Sequence, residues 1–278
     1  MTPSGRNIVH HERNEVGEAF VAIVTPFTAG GQVDEEALRV YLQNLYQSNI
    51  RDVVVNGTTG EFWAMTLEER QRTEDGQMVA DAALLLPPFY YERAPAGGVS
   101  AFLEAALAHA KLPVILYNYP RHCSNVIGPA AFEKLRARFP LLQGKKNSEM
   151  PLADCAAYSD DSGAAVLIGT EDLVQALDRG FHGFVTGGAW SVFPSVVEGV
   201  LGAHRGGNVD GARILQRERL DPWVALVDAM QCEAIAATKG ALSEFLPSFS
   251  PAVRPLLLPA GAADMQAIRE FVQRHVHD

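Results

Sequence analysis

The stretch PLLQGKKNSEM, Pro140 to Met150, is an apolar run that reaches a glycine and then two adjacent lysines. A strand covered on both faces reads as nearly continuous apolar residues, and lysine is among the side chains least often found inside. Side chains alternate along a strand, which sets Leu142, Gly144 and Lys146 on one face and Leu141, Gln143 and Lys145 on the other. The two lysines therefore cannot enter the same space. One turned into an apolar interior loses solvation, which favours the neutral amine, a nucleophile toward a carbonyl and the starting point of Schiff-base chemistry. The opposing reading ends the strand one residue early and sends both lysines to solvent.

Outward from this stretch, short β-branched runs alternate with amphipathic helical segments, the pattern of repeated βα units around a parallel sheet. AFVAIVTPF from Ala19 and RDVVVNGTTG from Arg51 read as the first two strands; AALLLPP, LPVILYNYP, LLQGKK, AAVLIG and GFVTGG read as further ones. The helix between the first two has an N-cap in Asp34 and apolar spacing at Ala37, Leu38, Tyr41, Leu42 and Leu45. Thr66 to Glu69 forms a capping box that opens the next. Later helices are expected over residues 101–110, 129–138, 152–158, 173–179 and 193–203. From Ala212 onward the pattern is helical without strands. The expected organisation is a polar N-terminal arm over residues 1–18, a barrel over 19–206, and a C-terminal helical extension over 207–278.

The 278 residues suffice for one α/β barrel. A net charge of -10 argues against a cationic surface for nucleic acid or anionic membrane, while leaving small anionic substrates open. Cys123, Cys155 and Cys232 are odd in number and far apart, without paired metal-ligand spacing, so a reducing cytoplasm is the expected compartment. With no apolar leader and no run of about 18 apolar residues, neither secretion nor a membrane span is expected.

In such barrels functional groups stand at the C-terminal strand ends. Those ends carry Thr58 and Thr59, Tyr90 and Tyr91, Tyr117 and Asn118, Lys145 and Lys146, and Thr186 with Gly187 and Gly188. The GTTGE turn, Gly57 to Glu61, offers backbone N–H groups and two hydroxyls to a carboxylate, or is an ordinary turn and cap. Tyr117 is a proton relay, or a tyrosine hydrogen-bonded for packing. Tyr90 and Tyr91 carry the same alternatives, with an interface role as a third.

Taken in order, AIVTPF, NGTTGEF, PPFYY, YNYP, GKKNS and the late KGAL…VRPLL resemble the dihydrodipicolinate synthase and N-acetylneuraminate lyase group of lysine-dependent, class I aldolases, from about Ala19 to the C-terminus. The resemblance implies a (β/α)8 TIM barrel with a C-terminal helical extension, a homo-oligomer (dimer or tetramer), and an imine between a strand lysine and the keto group of pyruvate or a related 2-oxo acid. It implies neither metal nor cofactor. Matched position by position, Lys146 is the Schiff-base lysine, with Lys145 in an apolar slot and Asn147 in an acidic one. Tyr117 passes protons; Thr58 and Thr59 hold the carboxylate, and Thr58 joins the relay of the synthases. Tyr90 matches a tyrosine that reaches a neighbouring subunit's site, Val185 lines the pyruvate pocket, and Glu61 is a structural hydrogen-bonding residue. Lys145 then faces the helix layer or its solvent edge, and the helix-side environment must compensate its charge.

Two departures stand out. Where synthases carry an arginine for the second substrate's carboxylate, this sequence has His122, with Arg121 one place early, which counts against lysine biosynthesis and leaves His122 as a substrate-binding candidate. Second, MTLEERQRTEDGQMVADAALLLPPFYY runs straight from the second helix into what matches the fourth strand. The third strand and helix, one βα unit of about 30 residues, are missing. Either the natural chain is longer and this sequence omits the unit, or the barrel is distorted, or the loss disables the protein; the undisturbed spacing from Ala80 onward favours the first. The expected activity is that of a lyase or aldolase interconverting a 2-oxo acid plus aldehyde with a hydroxy-oxo sugar acid. The alternatives are an imine-dependent dehydratase, dihydrodipicolinate synthase itself, or a non-catalytic 2-oxo-acid-binding descendant.

Overall fold

The structure, a computed structural model, describes residues 19–75, 80–158 and 164–275. The N-terminal arm expected over 1–18 lies outside them. Seven strands form one parallel curled sheet: β1 (Ala19–Ala22), β2 (Asp52–Val54), β3 (Ala83–Leu85), β4 (Val114–Asn118), β5 (Leu142–Ser148), β6 (Ala165–Gly169) and β7 (Gly183–Thr186). Their order around the sheet is β2-β1-β7-β6-β5-β4-β3. Every strand named from the sequence is present, although β1, β2 and β3 are shorter than their apolar runs. The missing unit falls between β2 and β3, and these two are the terminal strands of the sheet. Of the outcomes open to a barrel short of one unit, the fold takes, among the described residues, the one in which the sheet ends at two edge strands.

The helices of the barrel portion are α1 (Glu35–Gln47), α2 (Leu67–Asp75), α3 (Ala96–Leu107), α4 (Pro120–Cys123), α5 (Pro129–Arg138), α6 (Leu152–Ala156), α7 (Leu173–Leu177), α8 (Gly188–Val192) and α9 (Pro194–Arg205). Helix α1 begins where the Asp34 carboxylate accepts the Ala37 N–H at 3.0 Å, and it buries Ala37, Leu38, Tyr41 and Leu45 as its spacing requires. The capping box of α2 is reciprocal: Thr66 N–H donates to Glu69 at 3.0 Å and Glu69 N–H to the Thr66 hydroxyl at 3.2 Å. Helix α3 begins five residues before its expected start, after Pro95. Beyond β7 the described residues contain no strand: α10 (Val209–Leu215), a π-helical turn over Gln216–Leu220, α11 (Asp221–Asp228), α12 (Ala234–Phe245) and α13 (Ala262–His275) complete the chain. None of the described helices is long and apolar enough to cross a membrane.

The sheet separates two apolar regions. Ala22, Ile115, Leu167 and Val185 meet inside the curl, with Phe20, Val54 and Leu84 against them. Outside, one cluster joins β1, β6 and β7 to α1, α7, α8, α9 and the C-terminal helices, and another joins β4 and β5 to α3 and α5. Strand β5 is covered on both faces, so every residue from Gly144 to Ser148 is buried despite the polarity of KKNS.

Candidate active site

Strands β4 and β5 run in a register that sets Tyr117 beside Lys146, and β6 sets Leu167 on the other side of the lysine. Leu167 belongs to the interior cluster, so Lys146 points into the curl. Its Nζ stands 4.1 Å from the centre of the Tyr117 ring and the residue is 6 % exposed. Desolvation lowers its pKa from 10.5 to about 7, which makes the free amine available near neutrality. The Tyr117 hydroxyl donates to Ser148 Oγ at 3.1 Å, and burial pushes its own pKa up, keeping the phenol protonated. Ser148 pairs in register with Gly169, where any β-carbon would collide with the serine hydroxyl. That glycine is the condition for Ser148 to lie under Tyr117.

Lys145 takes the opposite face and is fully buried among helix-side residues. Its Nζ donates to Ile127 O at 2.6 Å and lies 4.2 Å from the Tyr158 ring centre. The sequence reading required compensation of its charge. Its neighbours are a carbonyl and aromatic rings, and desolvation lowers the pKa to about 6 against an opposing pull from Cys155, which favours the neutral amine.

The GTTGE turn closes through Gly60 N–H to Gly57 O and Glu61 N–H to Thr58 O, both 3.1 Å, while the Thr25 hydroxyl holds Gly60 O at 2.8 Å. Thr58 and Thr59 are half-buried. Thr59 packs onto the end of β7: a β-carbon on Gly187 would stand 2.8 Å from its Cγ2 and 2.9 Å from its Oγ1. Val185, 1 % exposed, contributes to the apolar interior. His122 is exposed on α4, its ring edge-on to Tyr119 at 4.3 Å, and Tyr119 stacks on Tyr117 at 5.6 Å. Tyr119 and Arg121 both donate to Glu149, at 3.1 and 3.3 Å. The structure thus groups Lys146, Tyr117, Val185 and, through Tyr119, His122, and it sets the Thr58–Thr59 turn against β7. Tyr90 is not in that group; it stands 95 % exposed beyond β3, beside exposed Phe89 and Tyr91.

One residue escaped the sequence reading. Glu171, just past β6, accepts the Thr186 hydroxyl at 2.8 Å, while its second oxygen is enclosed without a hydrogen-bond partner. Burial raises its pKa to about 7. The amide of Gln216, on the π-helical turn, holds its carbonyl at 3.0 Å. The signal was present in IGTE, a strand end with an acidic residue, the same kind of position that drew notice to the other strands.

A curled parallel sheet with a buried, weakly basic lysine beside a tyrosine toward its C-terminal edge is a (β/α) barrel-type fold that carries a candidate amine nucleophile. The sequence matches the dihydrodipicolinate synthetase family over residues 15–73 and 73–267, and the chain belongs to that family. The two matched segments meet at Thr73, where the missing unit would begin. N-acetylneuraminate lyase of Danio rerio is 28 % identical over 234 residues, covering 70 % of this chain and 76 % of that protein. Among solved structures, a prophage protein of the dihydrodipicolinic acid synthase family from E. coli K12, in complex with pyruvate, superposes with a TM-score of 0.80 at 20 % identity, over 92 % of this chain and 97 % of that one. The catalytic-lysine mutant of Ruminococcus gnavus sialic acid aldolase gives 0.81 at 19 %, over 91 % and 94 %.

Proposed function

We propose that Lys146 forms an imine with pyruvate or a related 2-oxo acid and that the chain is a carbon–carbon lyase of the class I aldolase type, acting on a hydroxy-oxo sugar acid. The reaction class follows from family membership; the observation that carries the residue assignment is the buried, weakly basic Lys146 against Tyr117. The neutral amine adds to the keto carbon and water leaves. The resulting iminium accepts the electron pair of the breaking C–C bond, giving an enamine and releasing an aldehyde. Proton transfer to the enamine carbon and hydrolysis return pyruvate and the free lysine. Tyr117, with Ser148 as its hydrogen-bond acceptor, carries protons between the imine and the substrate hydroxyl. Thr58 and Thr59 hold the carboxylate, Val185 supplies the apolar wall, and His122 faces the aldehyde portion.

The second reading is an imine-dependent dehydratase, because β-elimination draws on the same iminium electron sink as C–C cleavage. Dihydrodipicolinate synthase activity is less well supported, with His122 in place of the arginine. A binding-only descendant has no use for the Lys146–Tyr117 pair. The exposure of Tyr90 supports a homo-oligomer, a dimer or tetramer, in which this ring reaches a neighbouring subunit. Three unpaired cysteines support a cytoplasmic location.

Incubation with pyruvate and borohydride, followed by peptide mass mapping, tests the assignment. A reduced pyruvate adduct is expected on Lys146 and none in Lys146→Ala. A folded wild-type protein that gains no adduct, or gains one elsewhere, sinks it.

A further inference from the structure

Glu61 follows the two threonines directly and adopts a left-handed backbone, φ 55° and ψ 38°, an uncommon conformation for a residue with a β-carbon. Its side chain leaves the barrel and enters the C-terminal extension. There Oε1 lies 2.5 Å from Lys239 Nζ of α12, an ion pair set off the line of a regular hydrogen bond, and both side chains are wholly buried. Oε2 accepts the Arg254 backbone N–H at 2.9 Å. Lys239 also donates to Ala252 O at 2.9 Å and stands over the Phe27 ring. Arg254 binds Glu69 through two nitrogens, at 2.6 and 2.7 Å, and Ala64 O at 2.8 Å. The loop and helix on both sides of Glu61 are thus held by residues nearly two hundred positions away.

A buried ion pair is seldom the cheapest way to stabilise a fold, because desolvation offsets most of the attraction. This one fixes a particular thing, the end of the turn that carries Thr58 and Thr59. Glu61 N–H closes that turn on Thr58 O, so the direction of the Glu61 backbone sets where the two threonines point. We infer that Lys239 and Arg254 are positioning residues for the carboxylate-holding turn, so that the C-terminal extension sets the protein's affinity for the carboxylate of its 2-oxo acid.

The inference rests on the imine-forming reading, and its test separates the two. Lys239→Met combined with Glu61→Gln removes both charges while retaining an acceptor for the Arg254 N–H, which avoids stranding one buried ion. Borohydride trapping on Lys146 is measured with pyruvate and with acetone, a ketone lacking the carboxylate. Arg269→Ala, which breaks an exposed pair with Glu244 in the same extension, is the control for general loosening. The double variant is expected to need at least fivefold more pyruvate for half-maximal trapping, with the acetone requirement unchanged and Arg269→Ala like wild type for both. Equal shifts for pyruvate and acetone, or no shift for either, overturn the inference and leave the imine reading standing. Failure of the wild-type protein to trap pyruvate overturns both. If the double variant does not fold, Arg254→Lys is measured in the same way; it keeps the backbone N–H and the charge but loses the fork on Glu69, and a pyruvate-selective shift of about twofold or more is expected, its absence overturning the inference.

Discussion

Lys145 and Lys146 are chemically identical neighbours that the pleat sends to opposite sides of one sheet. Both are desolvated and both lose basicity, yet only Lys146 faces the inside of the curl, with Tyr117 on one side and Leu167 on the other. Lys145 is enclosed by Ile127 O, Phe132 and Tyr158. Its folded pKa of about 6 lies below the ordinary 10.5, so between those values the unfolded chain binds the extra proton. Stability contributed through this residue is therefore lowest below pH 6 and rises with pH up to about 10.5. Lys145→Met removes that cost, and Ile127 O keeps its bonds from the Tyr158 hydroxyl at 2.7 Å and the Asn118 amide at 3.0 Å. The variant is expected to trap pyruvate normally, to gain about 1 kcal/mol at neutral pH, and to show a shallower rise of melting temperature between pH 6 and 9. A steeper rise, or loss of folding, would contradict the neutral state assigned to Lys145.

At the scale of elements, the site depends on strand ends that lack side chains. Gly187 leaves room for Thr59 against β7, with Ala22 O only 3.0 Å from where a β-carbon would stand. Gly187→Ala is expected to push the Thr58–Thr59 turn away from the sheet without touching Lys146. The expected result is an increase of roughly tenfold in the pyruvate needed for half-maximal trapping, the cost of a forced shift in a packed contact, with the trapping rate at saturation nearly unchanged. A fall in the saturated rate with unchanged half-saturation would place Gly187 in the chemistry. Helix α2 shows the same dependence on contacts beyond its own sequence. It is tied to the β2 end by Asn56, which binds Arg70 O and the Thr73 hydroxyl, and to the C-terminal loop by Arg254, whose bonds pull the Glu69 pKa down to about 2.

For the whole molecule, the open sheet is the dominant fact. Strands β2 and β3 end it, while β5 and β6 each have a partner on both sides. Strands β1 and β2 and helix α2 are attached through the pairing of β1 with β7, the apolar cluster that the two strands share with the outer helices, and the bonds of Glu61 and Glu69 to Lys239 and Arg254. Stability is therefore unevenly spread. Hydrogen exchange should find the amides of β2 and β3 opening about tenfold or more faster than those of β5. Equal protection would mean that the two edges are covered in solution, for instance by another copy of the chain.

The strands and most helix starts were legible in the sequence because they rest on local chemistry: apolar runs, the Asp34 cap, the Thr66–Glu69 box. Lys146 was legible as one of a pair, since alternation admits one of two neighbours to the interior, and the ordered motifs selected which. The sequence by itself determined the element types, the missing βα unit and the residues at most strand ends. Tertiary structure decided what depends on distance: that Lys145 is enclosed by a carbonyl and aromatic rings, that Ser148 meets Tyr117 across the space left by Gly169, that Glu171 is enclosed with one oxygen unpartnered, and that Glu61 finds its partners in Lys239 and Arg254. Desolvation and hydrogen-bond geometry depend on everything that surrounds a group, and those surroundings come from chain segments that local patterns cannot bring together.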